Sequence, residues 1–246
     1  MALWAIIGGS ASLALTRAFE PVAAPRSRYG APSQTPRRGR VGRHEVLFLA
    51  RHGEPRQVAP HLINYRANVD VLCELGVAGV VALNTVGGIA AEAQPESLFV
   101  PHQLVDYTWG REHTFSDDGW HIHADFAEPF DEGVRQRLIA AAAAAGVTVG
   151  SQAVYGCTQG PRFETAAEIE RMARDGCDLV GMTGMPEAAL FRERSVPYAQ
   201  VSLVVNPAAG RAARPFDMAA ITRAAEQGMA RVERLLGAFF EVGTGG

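Results

Sequence analysis

Cysteine is scarce in this chain, and none of the cysteines forms a Cys-x-x-Cys pair. The 246 residues contain three, Cys73, Cys157 and Cys177. An odd and sparse set argues against a disulfide framework or a zinc site and favours a reducing, cytoplasmic compartment. No apolar run approaches the roughly 18 residues of a membrane span. The net charge of −3 predicts no general attraction to nucleic acid.

The amino-terminal segment lacks two further features. It has no basic stretch before its apolar run at Trp4–Ile7, and two glycines end that run, so we expect a first β-strand and not a signal peptide. It also lacks the Gly-x-Gly-x-x-Gly pattern of dinucleotide-binding folds, because residues 8–12 read Gly-Gly-Ser-Ala-Ser. A plain turn after a strand would read the same way, so this segment alone does not identify a ligand.

Apolar runs of strand length alternate with helical patterns along the chain. The predicted strands are Trp4–Ile7, Glu45–Ala50, Gly79–Leu83, Ser97–Val100, Val147–Tyr155, Leu179–Met182 and Tyr198–Val205. The predicted helices are Asn64–Leu75, Asp131–Ala145, Thr165–Asp175, Pro186–Arg194 and Phe216–Phe240. The alternation predicts an α/β fold: a single domain over residues 1–246, with a twisted, mixed and largely parallel central sheet flanked by helices.

The stretch Pro21–His44 is rich in proline and arginine. A basic run of this kind can be an arm that binds nucleic acid. The alternative is a hairpin from Arg28-Tyr29-Gly30 to Val41 with a solvated basic face. Because no aromatic stacking platform is interleaved with the arginines, the hairpin is favoured and no nucleic-acid partner is expected.

Four short segments, far apart in the chain, share one architecture. Three of them, at 5–10, 84–88 and 181–184, end a strand-like run with glycine, a hydroxyl or both, and the fourth, at 50–53, ends one with an arginine. Backbone N–H groups in tight turns, hydroxyls and guanidinium all hold oxyanions. Ligands gather beyond the carboxyl ends of strands in such sheets. We therefore expect the four segments to surround one phosphate beside a purine.

Two residues in the second segment leave alternatives open. Arg51 follows a buried strand and needs an anionic partner, which is either a phosphate or a structural carboxylate. His52 is either a functional group or a packing residue, and packing is the commoner role for histidine.

The motifs taken together resemble the trimeric purine nucleoside phosphorylase and 5′-methylthioadenosine phosphorylase family. The likeness covers nearly the whole chain in the family's order. It is carried by residues 50–53, 61–68, 84–89, 158–165 and 181–187, which read Ala-Arg-His-Gly, His-Leu-Ile-Asn-Tyr-Arg-Ala-Asn, Asn-Thr-Val-Gly-Gly-Ile, Thr-Gln-Gly-Pro-Arg-Phe-Glu-Thr and Gly-Met-Thr-Gly-Met-Pro-Glu. The resemblance implies a pentosyltransferase with inorganic phosphate as co-substrate, no metal and no cofactor.

The resemblance also implies roles for individual residues. The expected phosphate ligands are Ser10, Arg51, His52, Thr85 and Thr183. The expected nucleoside contacts are Val86, Gly87, His123, Phe163, Glu164, Met182 and Asn206, with Met182 under the ribose and Phe163 against the nucleoside. Among all of these, the expected catalytic residues are His52, Glu164 and Asn206. His123 is expected to complete the site of a neighbouring subunit, which makes a homotrimer the expected assembly.

The base-reading positions depart from one branch of the family. Adenine-specific members carry two aspartates separated by one residue after the late strand, where this chain has Asn206 and Ala208. An asparagine amide can donate to O6 or N7 of a 6-oxopurine, and Glu164 can accept from N1–H. An adenine would leave polar groups unpaired at these positions, and such sites discriminate by about 10⁴ or more. The alternatives are a turn asparagine before proline and an ordinary first-turn helix charge.

The 5′ group is harder to predict, because the segment 216–221 mixes apolar and polar side chains. The Arg-His-Gly and Ala-Glu-Pro-Phe segments look more like the methylthioadenosine branch. Combined with a 6-oxopurine reader, they point to 5′-methylthioinosine, cleaved by phosphate to hypoxanthine and 5-methylthioribose 1-phosphate. Inosine, guanosine and methylthioadenosine are the alternative substrates, and a non-catalytic nucleotide-binding protein is the alternative class.

Overall fold

The computed structural model describes residues 2–9, 12, 18–54, 57–116, 123–212 and 217–242. This part of the chain contains eleven strands and five α-helices. The strands are β1 Trp4–Gly8, β2 Glu20–Pro21, β3 Arg37–Val41, β4 His44–Ala50, β5 Gly79–Gly88, β6 Leu98–Phe99, β7 Gln103–Asp106, β8 Val149–Gly150, β9 Val154–Cys157, β10 Leu179–Gly181 and β11 Tyr198–Pro207. The helices are α1 Tyr65–Glu74, α2 Glu132–Ala144, α3 Ala166–Arg174, α4 Glu187–Glu193 and α5 Met218–Val242.

All eleven strands join one mixed sheet. Its main path runs β2-β3-β4-β1-β5-β10-β9-β7, and β11 pairs with β5 and with β6, which also pairs with β8. Strand β1 lies between β4 and β5 and is parallel to both. Strand β11 runs parallel to β5 along its length, whereas β10 is antiparallel to β5. The prediction of a mixed, largely parallel α/β sheet flanked by helices is confirmed.

Helix starts follow the side-chain signals in the sequence. The side chain of Asp131 accepts a hydrogen bond from the backbone N–H of Val134 at the start of α2, 2.8 Å away. At the start of α3, Thr165 and Glu168 form a capping box, in which each side chain accepts from the other residue's backbone N–H. These caps satisfy N–H groups that have no partner within the helix, and so they set where each helix begins.

Strand β5 differs from its prediction because it continues past Leu83 to Gly88. Strand β11 pairs with it through Pro207, with a register shift between Val204 and Asn206. The segment 84–88 is therefore the last part of a strand and not a turn beyond one. Pairing with β11 keeps this glycine-rich segment in the strand, and the segment's own residues do not predict that pairing.

Two other predictions of strand extent were wrong. The single strand expected at Val147–Tyr155 is two strands, β8 and β9, which pair with different neighbours. Strands β2 and β7 were not predicted. The basic hairpin is formed by β3 and β4, whereas Arg28–Gly30 belongs to a tight turn closed by a bridge between Ser27 and Gly30.

The core lies on the strands β1, β4, β5 and β11 and under the helices that cover them. Ile7, Leu49, Val80 and Val204 are fully buried. Helix α5 packs against α2 and β11, and α1 packs against α4. None of the described helices has the length and apolar character needed to cross a membrane.

Candidate active site

The four predicted segments meet at one cavity of about 1670 Å³. Its wall contains Gly9, Arg51, His52 and residues 84–87 and 181–183. Parts of β11 and α5 form another side of the wall. The expectation that these segments come together is confirmed, and their binding of phosphate stays a prediction. Ser10 lies outside the described residues.

Arg51 is buried at the base of the cavity and is paired with a carboxylate. Its Nε and Nη2 donate to the two carboxylate oxygens of Glu187, each at 2.8 Å, and its Nη1 donates to the carbonyl of Leu83 at 2.9 Å. Both side chains are 1% exposed. Burial alone would lower the pKa of Arg51, but the adjacent Glu187 raises that pKa above its ordinary value. The arginine is therefore fully charged and rigidly aimed.

The two alternatives for Arg51 are thus not exclusive. Five N–H bonds are available on a guanidinium, and three of those on Arg51 have partners among the described residues. Glu187 occupies one edge and also accepts a hydrogen bond from the Tyr198 hydroxyl at 2.9 Å. Arg51 lines the cavity, and its other two N–H bonds have no partner among the described residues.

His52 is held as a neutral ring. Its Nδ1 lies 2.9 Å from the carbonyl oxygen of Val58, and because a carbonyl only accepts, Nδ1 carries the hydrogen. Burial, with a smaller effect of the Arg51 charge, lowers the pKa of His52 below 6.5. At neutral pH its Nε2 is therefore an acceptor, suited to the O–H of a hydrogen phosphate ion.

The two predicted threonine ligands belong to neighbouring elements of the wall, β5 and the turn after β10, its antiparallel partner. Thr85 is exposed in β5, and Thr183 is buried just beyond β10. The Tyr155 hydroxyl accepts from the backbone N–H groups of Thr183 and Gly184, each at 3.3 Å. A Cβ at Gly184 would come within 2.7 Å of the Tyr155 ring, so the close approach requires glycine. Tyr155 therefore fixes the backbone of the turn at Thr183 through these two hydrogen bonds.

Asn206 lies at the register shift of β11 and lines the cavity. Its Nδ2 donates to the carbonyl of Pro207 at 2.7 Å, which orients the amide and leaves one Nδ2 hydrogen for a ligand. A Cβ at Gly87 would be 3.4 Å from this Nδ2, so Gly87 leaves room for the amide. The neighbouring Val86 is buried in the same wall.

Glu164 and Phe163 lie across the cavity on the segment before α3. Phe163 is 48% exposed, which is high for a large apolar side chain, and it lines the cavity. Glu164 is half-buried in the same wall, and its Oε1 accepts a hydrogen bond from the Thr158 hydroxyl at 2.6 Å. An aromatic face and an oriented carboxylate thus stand beside one another.

Of the two predicted sugar contacts, Met182 lies in the wall that the described residues form around the cavity of its own chain, and His123 does not. Met182 and Ile221 line the cavity and are half-buried, and Met218 of α5 lines it and is exposed. His123 is exposed and, within the described part of the chain, is not in the wall of its own cavity. Phe216 lies outside the described residues.

Sequence reasoning assigned no role to Glu187, Thr158 or Arg111. Glu187 and Thr158 were within the motifs that carried the resemblance, but nothing in a motif shows which side chains pair. Arg111 is 7% exposed and donates to the backbone carbonyls of Gln159 at 2.8 Å, Met182 at 3.0 Å and Met185. It ties the loops after β9 and β10 together under the cavity.

Comparison with known proteins agrees with this geometry. Residues 5–241 match the Phosphorylase superfamily. The chain is 49% identical over 242 residues to the "Probable S-methyl-5′-thioinosine phosphorylase" of Pseudomonas syringae pv. tomato, covering 96% of this chain and 97% of that one. It is 45% identical over 179 residues to the 6-oxopurine nucleoside phosphorylase of Pyrococcus furiosus, covering 70% and 68%. A methylthioadenosine phosphorylase from an Antarctic soil metagenomic library superposes with a TM-score of 0.91 at 30% identity, covering 98% and 86%.

The fold is that of a nucleoside phosphorylase, and the chain belongs to the phosphorylase superfamily. The family expected from the sequence motifs is confirmed, and so is the enzyme class, a pentosyltransferase of the nucleoside phosphorylase type.

Proposed function

We propose that the enzyme cleaves 5′-methylthioinosine with inorganic phosphate to give hypoxanthine and 5-methylthioribose 1-phosphate. The observation that carries this proposal is the pairing of an amide, Asn206, with a carboxylate, Glu164, in the wall of the cavity that also contains Arg51. The names of the relatives from Pseudomonas syringae and Pyrococcus furiosus support a 6-oxopurine substrate.

The hydrogen-bonding groups favour a 6-oxopurine over adenine. The N1–H of such a base donates to the Glu164 carboxylate, and O6 or N7 accepts the second Nδ2 hydrogen of Asn206. Adenine offers an acceptor at N1 and an amino donor at C6. A carboxylate facing the N1 lone pair leaves both groups unpaired.

At the phosphate end, the proposed ligands are Ser10, Arg51, His52, Thr85 and Thr183. The buried Arg51–Glu187 pair supports this assignment. Because Glu187 already holds one edge of the guanidinium, Arg51 loses little side-chain entropy when its remaining donors bind phosphate. His52 accepts the phosphate O–H at Nε2, and the threonines donate their hydroxyl hydrogens.

The proposed reaction is a displacement at C1′. Phosphate oxygen attacks C1′ as the N9–C1′ bond breaks, and the electron pair of that bond passes to the base. The protein supplies orientation, which offsets roughly 7–11 kcal/mol of such barriers. Asn206 donates to the negative charge that develops at N7 and O6, and loss of a comparable donor costs about 10²–10³ in rate. Phosphate is the co-substrate, and the scheme uses no metal and no cofactor.

The 5′ preference is supported by the apolar side chains of Met218 and Ile221 in the wall beside α5. A methylthio group is apolar and gains from this contact. Asp217 and Thr222 also line the cavity, and they favour inosine or guanosine, whose 5′ group is a hydroxyl, as the second candidate substrates.

The proposed assembly is a homotrimer in which His123 enters a neighbouring site. Its exposure, away from the cavity of its own chain, supports this arrangement. The proposed setting is purine salvage in the cytoplasm, supported by three free thiols at Cys73, Cys157 and Cys177. The proposed domain spans residues 1–246, supported by the family match over 5–241.

Replacement of Asn206 by aspartate tests the base assignment. We expect Asn206→Asp to lower kcat/KM for methylthioinosine by about 10²–10³, because a donor to the developing oxyanion becomes an acceptor. Cleavage of methylthioadenosine should rise, since a carboxylate accepts from the adenine amino group. Initial rates of base release with each nucleoside at saturating phosphate measure both.

The matched control is Asn206→Ala, which removes the amide without adding a carboxylate and should lose methylthioinosine activity with no gain on methylthioadenosine. Undiminished methylthioinosine cleavage by Asn206→Asp, with no adenine release, contradicts the base assignment. Omitting phosphate separates the classes: a phosphorylase then releases no base, a hydrolase still does, and a nucleotide-binding protein releases none under either condition.

A further inference from the structure

The hydrogen bond from Thr158 to Glu164 lies behind the base end of the cavity. A carboxylate has no hydrogen to donate, whereas the Thr158 hydroxyl has one. Thr158 is therefore the donor to Oε1 of Glu164, at 2.6 Å. The Thr158 oxygen also lies 3.3 Å from the carbonyl of Gly181, a longer and weaker contact. Glu164 is therefore the main partner of this hydroxyl.

The backbone of Thr158, the residue that donates this bond, is held in place by the sheet. Thr158 comes directly after β9, and its backbone N–H donates to the Gly181 carbonyl at the end of β10 across 2.8 Å. Two neighbouring strands of the sheet therefore determine where the hydroxyl points. Glu164, by contrast, lies on the loop before α3, where a long side chain has several rotamers.

Other groups near Glu164 do not provide the same restraint. The closest cation in sequence, Arg162, uses both terminal nitrogens on Glu168, at 2.8 and 2.7 Å. Within the described part of the chain, Glu164 lines the cavity and Thr158 does not. The shorter of its two contacts thus links the Thr158 hydroxyl to a residue of the cavity wall, the Glu164 carboxylate.

We propose that Thr158 is a positioning residue that sets base selectivity by fixing Oε1 of Glu164 and so presenting Oε2 as an acceptor for N1–H of a 6-oxopurine. The inference rests on the proposed function and deepens it. Without the hydroxyl, the Glu164 side chain is free to take other rotamers, and N1–H of the 6-oxopurine loses its oriented acceptor. Adenine has no N1–H and loses no such contact, so the preference for the 6-oxopurine over adenine becomes smaller.

The test compares Thr158→Val, which removes the hydroxyl at nearly equal volume, with Thr158→Ser, which keeps it. Each variant is assayed with methylthioinosine and methylthioadenosine at saturating phosphate, alone and combined with Glu164→Gln. We expect Thr158→Val to lower kcat/KM for methylthioinosine roughly tenfold, as for other hydrogen bonds to charged groups. The value for methylthioadenosine and the KM for phosphate should stay within about threefold, and Thr158→Ser should stay near the parent.

The double variant of Thr158→Val with Glu164→Gln tests directly whether Thr158 acts through Glu164. If Thr158 acts through Glu164, adding Thr158→Val to Glu164→Gln changes kcat/KM for methylthioinosine by less than about twofold. Equal losses on both nucleosides, or a full tenfold loss in the Glu164→Gln background, overturn the inference. Thr158→Ala replaces the valine variant if the latter does not fold. A parent enzyme that cleaves methylthioadenosine and not methylthioinosine contradicts the proposed function itself, a result visible before any variant is made.

Discussion

At the scale of single residues, Glu187 determines how Arg51 meets the cavity. The carboxylate takes two N–H bonds of the guanidinium and the hydroxyl hydrogen of Tyr198, all below the solvent-accessible surface. A buried charge without its partner is strongly destabilising, whereas the complete pair contributes little net stability. The value of the pair therefore lies in holding Arg51 charged and directed, not in stabilising the fold.

Replacement of Glu187 by glutamine should lower the free energy of unfolding by about 3 kcal/mol, because Arg51 then stays buried without a countercharge. The midpoint of thermal unfolding should fall by about 6–12 °C. Glu170→Gln is the control, since its ion pair with Arg211, at 3.4 Å, is largely exposed and worth about 1 kcal/mol at most. Equal midpoints for the two variants would show that Arg51 is not stabilised by this pair.

At the scale of elements, the site is made by loops that Arg111 holds together. Its guanidinium reaches carbonyl oxygens after β9 and β10, and its Nε lies 3.1 Å from the Gln159 side chain. Among the described residues Arg111 forms no ion pair with a carboxylate, and its hydrogen bonds go to backbone carbonyls, the Gln159 side chain and the Tyr65 hydroxyl. A planar fork with five donors suits such a cluster of acceptors.

Arg111→Met should lower the free energy of unfolding by more than about 3 kcal/mol, because several buried carbonyls lose their donors at about 1–3 kcal/mol each. Arg111→Lys should recover only part of this, since an ammonium lacks the fork. Chemical denaturation measures both variants against Arg171→Met, a change at a residue 69% exposed. Full recovery by lysine would mean that charge, and not the fork, is what the loops require.

At the scale of the whole molecule, the proposed trimer makes each site a product of two chains. His123 is exposed and lies away from its own cavity wall. A contribution in trans predicts that two inactive variants complement one another when they assemble together. Asn206→Ala damages the body of a site, and His123→Ala damages the residue donated to the next one.

Mixed refolding or co-expression of these two variants should restore a measurable part of the methylthioinosine activity. A His123→Ala chain supplies an intact site body, and an Asn206→Ala neighbour supplies an intact histidine. Each variant alone, treated in the same way, is the control. If His123 acts within its own chain, or not at all, the mixture shows only the average of the two separate activities.

Much of the architecture could be predicted from local sequence. The start of α3 followed from Thr165 and Glu168, and β1 and β4 followed from apolar runs that end at glycine or arginine. Strand β7 and the last part of β5 could not be predicted, because their extended conformation is stabilised by pairing with β9 and β11 and not by the propensities of their own residues. Their existence depends on pairing across the sheet.

The chain by itself determined which segments end at the cavity, because hydrophobic periodicity, caps and glycine positions are local properties of the sequence. It also determined the amide at Asn206 in place of a carboxylate. Only the tertiary structure decided that Arg51 pairs with Glu187, 136 residues away, and that Thr158 orients Glu164. Hydrogen bonds need distances near 3 Å and defined angles, and only the packing of separate elements brings these side chains within that range.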